Sequence, residues 1–123
     1  MRNRTLKQSF DNAWTGIVES IQSERNLRIH AVAICAVVTA GAVLSIDSLR
    51  WALLFVACGT VVVAELLNTA IERLVDMVTD KWCEEARQVK DMAAGAVLVA
   101  AFFALLIGFG VFFEPVCNLL FPG

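Results

Sequence analysis

The common metal and nucleotide signatures are missing from this chain of 123 residues. Histidine occurs once, at His30, and the four cysteines stand apart at 35, 58, 83 and 117. No Cys-x-x-Cys pair exists, so the usual zinc spacings are excluded and the cysteines read as chemically inert. Neither a G-x-x-x-x-G-K-[ST] loop nor a kinase glycine-rich loop is present, so any nucleotide site must be unconventional. The net charge is only −2, and no basic patch pairs with interleaved aromatics, which argues against a nucleic-acid partner. Arg2, Arg4 and Lys7 open the chain, but the mixed sequence behind them is not the apolar core of a cleaved signal.

Apolar sequence, by contrast, is abundant. The chain is 59% hydrophobic with a mean hydropathy of +0.71, above the ~45–50% apolar share of ordinary soluble domains. Its length allows one domain, 1–123. Near the start, Leu6, Phe10, Ala13, Trp14, Ile17 and Ile21 recur with helical spacing opposite Lys7, Gln8, Asp11, Asn12, Thr15, Glu19 and Gln22. Such a helix, over about residues 5–25, suits a membrane surface. Three apolar runs follow, predicting spans over about 28–46, 50–78 and 88–113. The first, some 18 residues at ~1.5 Å each, reaches roughly 27 Å and can cross a bilayer core. Pro115 and Pro122 predict a short irregular tail. The expectation is an all-α membrane protein with three transmembrane helices and an N-terminal amphipathic surface helix. Arg2, Arg4, Lys7, Arg25 and Arg28 precede the first span, Lys81, Arg87 and Lys90 separate the second from the third, and only Arg50 falls on the other side. That asymmetry predicts the N-terminus in and the C-terminus out.

The second span carries charge where a membrane helix should have none. Glu65, Asn68, Glu72 and Asp76 fall at i, i+3, i+7 and i+11, within an arc of roughly 80°. Thr69 borders the arc and Arg73 lies beyond its edge, while Leu66, Leu67, Ile71, Leu74, Val75 and Val78 make up the apolar face. Ionisable groups at this depth cost at least ~2.5 kcal/mol each, so the stripe must face protein or a wet cavity. A purely structural polar seam would leave three carboxylates repelling one another with only Arg73 nearby, whereas a divalent cation would supply the balancing charge. Two further charged elements can meet the seam: Glu24–Arg25–Asn26–Leu27–Arg28, where the surface helix turns into the first span, and Lys90–Asp91, at the head of the third. Carboxylates suit Mg²⁺ shared with substrate phosphates, and lysine suits phosphate, which together describe a phosphoryl-transfer site.

At these residues the sequence resembles the prokaryotic diacylglycerol kinase family, which includes the undecaprenol kinases. The likeness runs over roughly residues 5–105 and rests on A-E-L-L-N-T-A-I-E-R-L-V-D at 64–76, K-D-M-A-A-G-A-V at 90–97 and E-R-N-L-R-I-H at 24–30. The last of these is closer to the undecaprenol-kinase branch. The resemblance implies an ATP- and Mg²⁺-dependent lipid kinase of a bacterial cytoplasmic membrane, assembled as a homotrimer with composite sites. It implies Glu65 as the base that deprotonates the lipid hydroxyl, and Glu24 and Glu72 as holders of the metal on the ATP phosphates. Lys90 would contact phosphate and Asp91 the nucleotide, with Asn68, Asp76, Arg28 and Asn26 supporting the site. Asn12 and Cys83 depart from the family's tyrosine and histidine in regions expected near the nucleotide, where Trp14 or Trp82 can stand in as an aromatic platform. Two rival readings fit less well. A small multidrug transporter needs four spans with an acid in the first, and a non-enzymatic scaffold or regulator has no need for the intact set Glu24, Glu65, Glu72 and Lys90.

Overall fold

A computed structural model, which describes residues 3–123, builds the chain from four helices: α1 (Leu6–Ser23), α2 (Arg25–Val43), α3 (Ser48–Val78) and α4 (Glu84–Leu120). Arg2, one of the N-terminal bases counted above, lies outside the described residues. Helices α2, α3 and α4 are each long and apolar enough to cross a membrane, and no strand occurs among the described residues. The protein is a multi-pass, all-helical membrane protein preceded by one amphipathic helix.

Helix α1 starts on a reciprocal cap: Gln8 N–H donates to Thr5 Oγ1 (3.2 Å) and Thr5 N–H to Gln8 Oε1 (3.0 Å). Leu6, Phe10 and Trp14 stay exposed along one stripe, the face a bilayer surface would cover. The break between α1 and α2 is a single extended residue, Glu24. Such a break strands the last carbonyls of α1. Arg28 satisfies two of them, donating to Ile21 O (3.1 Å) and Gln22 O (2.8 Å).

Helix α2 ends three residues before the apolar run does, at Val43 rather than Ile46. Ser45 takes a positive φ of 51°, its N–H donates to Ala42 O (3.2 Å), and Ile46 N–H donates to Gly41 O (3.2 Å). This left-handed stop places an apolar residue just past the helix end, against the preceding turn. Hydropathy therefore reads through the stop. Gly41 is buried there: a Cβ would meet Trp51 Cη2 at 2.9 Å and Ile46 Cδ1 at 3.0 Å. Gly41→Val is accordingly expected to cost about 1–3 kcal/mol by overpacking, seen as a lower thermal midpoint in detergent micelles.

Asp47 then caps α3, accepting from Arg50 N–H (2.9 Å). That backbone bond, reinforced by the adjacent guanidinium, holds the Asp47 carboxyl below its usual range. The Arg50 side chain bridges Asp47 Oδ2 and Glu114 Oε2, both at 2.7 Å, and so ties the start of α3 to the far end of α4. The tail expected to be irregular from Pro115 is helical instead, and α4 runs through Pro115 to Leu120. Proline removes one N–H, but its fixed φ is compatible with helix. Buried Val111 and the Arg50–Glu114 pair anchor the preceding turn to α3. At its other end α4 begins at Glu84, earlier than the 88 expected, because Glu84 and Glu85 in the first turn complement the helix dipole.

Helix α4 packs along α3, α2 leans on α3 less extensively, and α1 touches both α2 and α3. Near the far end Ile46, Leu54 and Val111 form a small core with Val37, Trp51, Ile107 and Phe112 around it. Much of the remaining apolar surface, including Leu98, Phe102, Leu105 and Phe109 on α4, faces outward, as lipid contact requires. Helix α3 is the most enclosed of the three and carries the buried polar residues.

Candidate active site

The enclosed stretch of α3 holds Glu65, 4% exposed, with Thr69 at 5% and Asn68 at 9%. Glu65 is answered from α2: His30 Nε2 lies 3.0 Å from Glu65 Oε1. One helical turn nearer the α1 end, Asn68 Nδ2 donates to Glu72 Oε1 (3.4 Å), while Asn68 Oδ1 is buried without a partner. Another turn on, Asp76 Oδ1 accepts from Lys90 Nζ of α4 (2.7 Å). Arg73 points away from the stripe and donates to Ser23 Oγ, with Glu24 Oε1 at 3.5 Å. Arg87 bonds both Glu84 and Asp91, the latter at 2.6 Å.

Five of the residues singled out from sequence lie along one seam. Glu65, Asn68, Glu72 and Asp76 line α3, Lys90 joins them from α4, and Glu24 meets α3 through Arg73. The seam's partners come from neighbouring helices rather than from Arg73, which is spent on the Glu24 hinge. Arg28 is occupied with the end of α1, Asn26 is exposed, and Asp91 is paired with Arg87. His30 was missed as a site residue. Its signal was legible: an imidazole two residues into an apolar span is expensive unless partnered, and the one buried acid among the described residues, Glu65, lies on α3.

Two hollows flank the seam. One, of about 280 Å³, is lined by Asp76, Thr79, Trp82, Cys83, Lys90 and Asp91 at the α1 end. The other, of about 510 Å³, is an apolar groove running from His30 past Val37, Leu54, Val61, Ala104, Gly108 and Phe112. Among the described residues no three His, Cys, Asp or Glu side chains gather as a ready-made metal cage. Glu72 accepts from Asn68, whose buried amide oxygen is unpartnered, and Glu24 is held against α3 through Arg73; these oxygen donors are of the kind that Mg²⁺ shares with phosphate groups.

Fold and site together define a multi-pass membrane protein with a polar, carboxylate-bearing seam that ends at a sealed glutamate, whose partner His30 lines an apolar groove. The chain belongs to the prokaryotic diacylglycerol kinase family, whose model matches residues 11–112. It is 44% identical over 110 residues to the undecaprenol kinase of Bacillus subtilis, covering 89% of both chains. Over 116 residues it is 39% identical to a diacylglycerol kinase of Synechocystis, covering 94% of this chain and 66% of that one. The diacylglycerol kinase of Escherichia coli K12 is 31% identical over 94 residues, 76% of this chain and 77% of the other. The protein is a lipid kinase, and its chemistry is a nucleotide-dependent phosphoryl transfer.

Proposed function

We propose that the protein transfers the γ-phosphoryl group of Mg·ATP to the primary hydroxyl of undecaprenol, at the cytoplasmic face of a bacterial cytoplasmic membrane. The observation that carries this reading is Glu65, a carboxylate enclosed in an apolar span and set below the Asn68–Glu72–Asp76–Lys90 ladder on the same helical face. Seven residues of helix put Glu65 about 10 Å deeper than Glu72. A hydroxyl borne on a lipid can sit at that depth while a nucleotide stays in the aqueous layer. Undecaprenol is favoured over diacylglycerol by the Glu24–His30 segment and by the near-complete overlap with an undecaprenol kinase.

In this scheme Glu65 removes the proton as the lipid oxygen attacks the γ-phosphorus in line. The bond to the bridging oxygen of ADP breaks, and the products are the lipid phosphate and ADP. Little covalent work falls to the protein in such a transfer; positioning and charge carry it. Glu24 and Glu72 hold the ion, which when bound neutralises charge on the phosphates. Lys90, released from Asp76, meets a phosphate oxygen, and Asp91 reaches the nucleotide. Asn68 orients Glu72 through its amide, and Asn26 and Arg28 brace the hinge that carries Glu24. Trp82, at the edge of the smaller hollow, offers the adenine a stacking face. The domain spans 1–123, with the N-terminus inside, the C-terminus outside and three copies forming a trimer.

The test is transfer of labelled γ-phosphate from Mg·ATP to undecaprenol and to diacylglycerol in mixed micelles. Undecaprenol should be the better acceptor by kcat/KM. No transfer to either by folded protein would remove the reading, and preference for diacylglycerol would overturn the choice of lipid.

The groove gives a second check. A Cβ at Gly108 would meet nothing within 4 Å, so a larger side chain fits the fold and enters the groove. If the lipid's hydrocarbon lies there, Gly108→Leu will raise KM for the lipid by about tenfold, the order of a few lost methylene contacts, and leave KM for ATP unchanged.

A further inference from the structure

The His30–Glu65 contact is the only side-chain hydrogen bond that joins α2 to α3 within the apolar part of the bundle, among the described residues. Glu65 is nearly sealed, with its side chain 5% exposed, whereas His30 is 27% exposed and also lines the apolar groove. One carboxylate oxygen of Glu65 is taken by the imidazole, and the other is left for a substrate. A carboxylate that accepts a fixed donor on one oxygen has its rotamer, and hence the direction of its second oxygen, set in advance. A base must lie within about 2.6–3.2 Å of the proton it removes, and misplacement by about 1 Å can cost on the order of 10² in rate.

We propose that His30 is a positioning residue of the kinase: its Nε2–H donates to Glu65 Oε1 and aims Oε2 at the hydroxyl of a lipid lying in the groove. The inference rests on the reading of Glu65 as base. His30 then acts through Glu65 and touches neither the nucleotide nor the metal. It sits six residues along the chain from Glu24, beyond the hinge, so the nucleotide end of the seam is built without it. From α4 no competing partner approaches, since Met92–Phe113 carries no ionisable side chain.

The experiment uses the full chain in mixed micelles with undecaprenol as acceptor and compares His30→Leu, His30→Gln, Glu65→Gln and the double variant His30→Leu/Glu65→Gln. Circular dichroism and thermal midpoint establish that each is folded. His30→Leu is expected to lower kcat by about 10–100-fold, the usual effect of losing an orienting partner, with KM for ATP within twofold. His30→Gln keeps an N–H donor at similar reach and should recover most of that loss. Adding His30→Leu to Glu65→Gln should cost nothing more, because a residue acting through Glu65 has nothing left to aim. An unchanged kcat in folded His30→Leu overturns the proposal, as does equal impairment of the Leu and Gln variants, or additive losses in the double variant. If instead Glu65→Gln alone retains full activity, the base assignment itself fails, and the two failures are told apart.

Discussion

Glu65→Gln will lower kcat for lipid phosphorylation by about 10²–10⁴-fold, the contribution expected of a positioned general base. The substitution removes one function and spares the rest. Glutamine keeps the side chain's length and an oxygen that can accept from His30 Nε2, so the α2–α3 contact survives. Helix α3 and its neighbours Thr69 and Asn68 are unaffected in volume. The nucleotide end of the seam lies two turns away, so KM for ATP should stay within about twofold, the pattern of an interaction made only in the transition state. Single-turnover transfer of labelled phosphate, on protein shown to be folded, checks this directly. A variant with wild-type kcat would show that the proton leaves by another route.

How much of this could be read beforehand depended on the kind of signal. The four helices were legible because each announces itself by period or by unbroken hydropathy over a sufficient length. Their ends were less so, for identifiable reasons. Ile46 is apolar yet lies beyond the helix, because a left-handed stop at Ser45 folds it back on Gly41. Pro115 resembles a terminator yet continues α4, held by Val111 beneath it and by Arg50 beside it. Both outcomes depend on tertiary contacts that no local pattern encodes. The seam along α3 was legible from spacing alone, since 3.6-residue periodicity fixes which side chains share a face. What answers each seam residue was not, because those partners arrive from other helices: His30 from α2 and Lys90 from α4. Arg73 illustrates the limit. It projects beyond the edge of the acidic arc, and its length and the hinge at Glu24 carry it to Ser23.

That division between depth and surface makes the second large effect distinguishable from the first. Glu24→Gln and Glu72→Gln will each reduce phosphorylation at limiting Mg²⁺ by on the order of 10²–10³-fold, the scale on which a charge-stabilising group is lost from a transfer site. Both changes are gentle structurally. In Glu72→Gln the new amide keeps an oxygen that can accept from Asn68 Nδ2. In Glu24→Gln the Arg73 guanidinium still has Ser23 Oγ, so local packing and the α1–α2 break persist. Only the negative charge goes. A weakened ion site can be refilled by mass action, and therefore excess Mg²⁺ should restore part of the rate in these two variants. It should restore none in Glu65→Gln, where the missing element is a proton acceptor about 10 Å deeper. Titrating Mg²⁺ against initial rate for the three variants side by side provides the measurement. If Glu24→Gln and Glu72→Gln keep the wild-type metal dependence, the ion is held by other groups and the assignment of these two carboxylates fails.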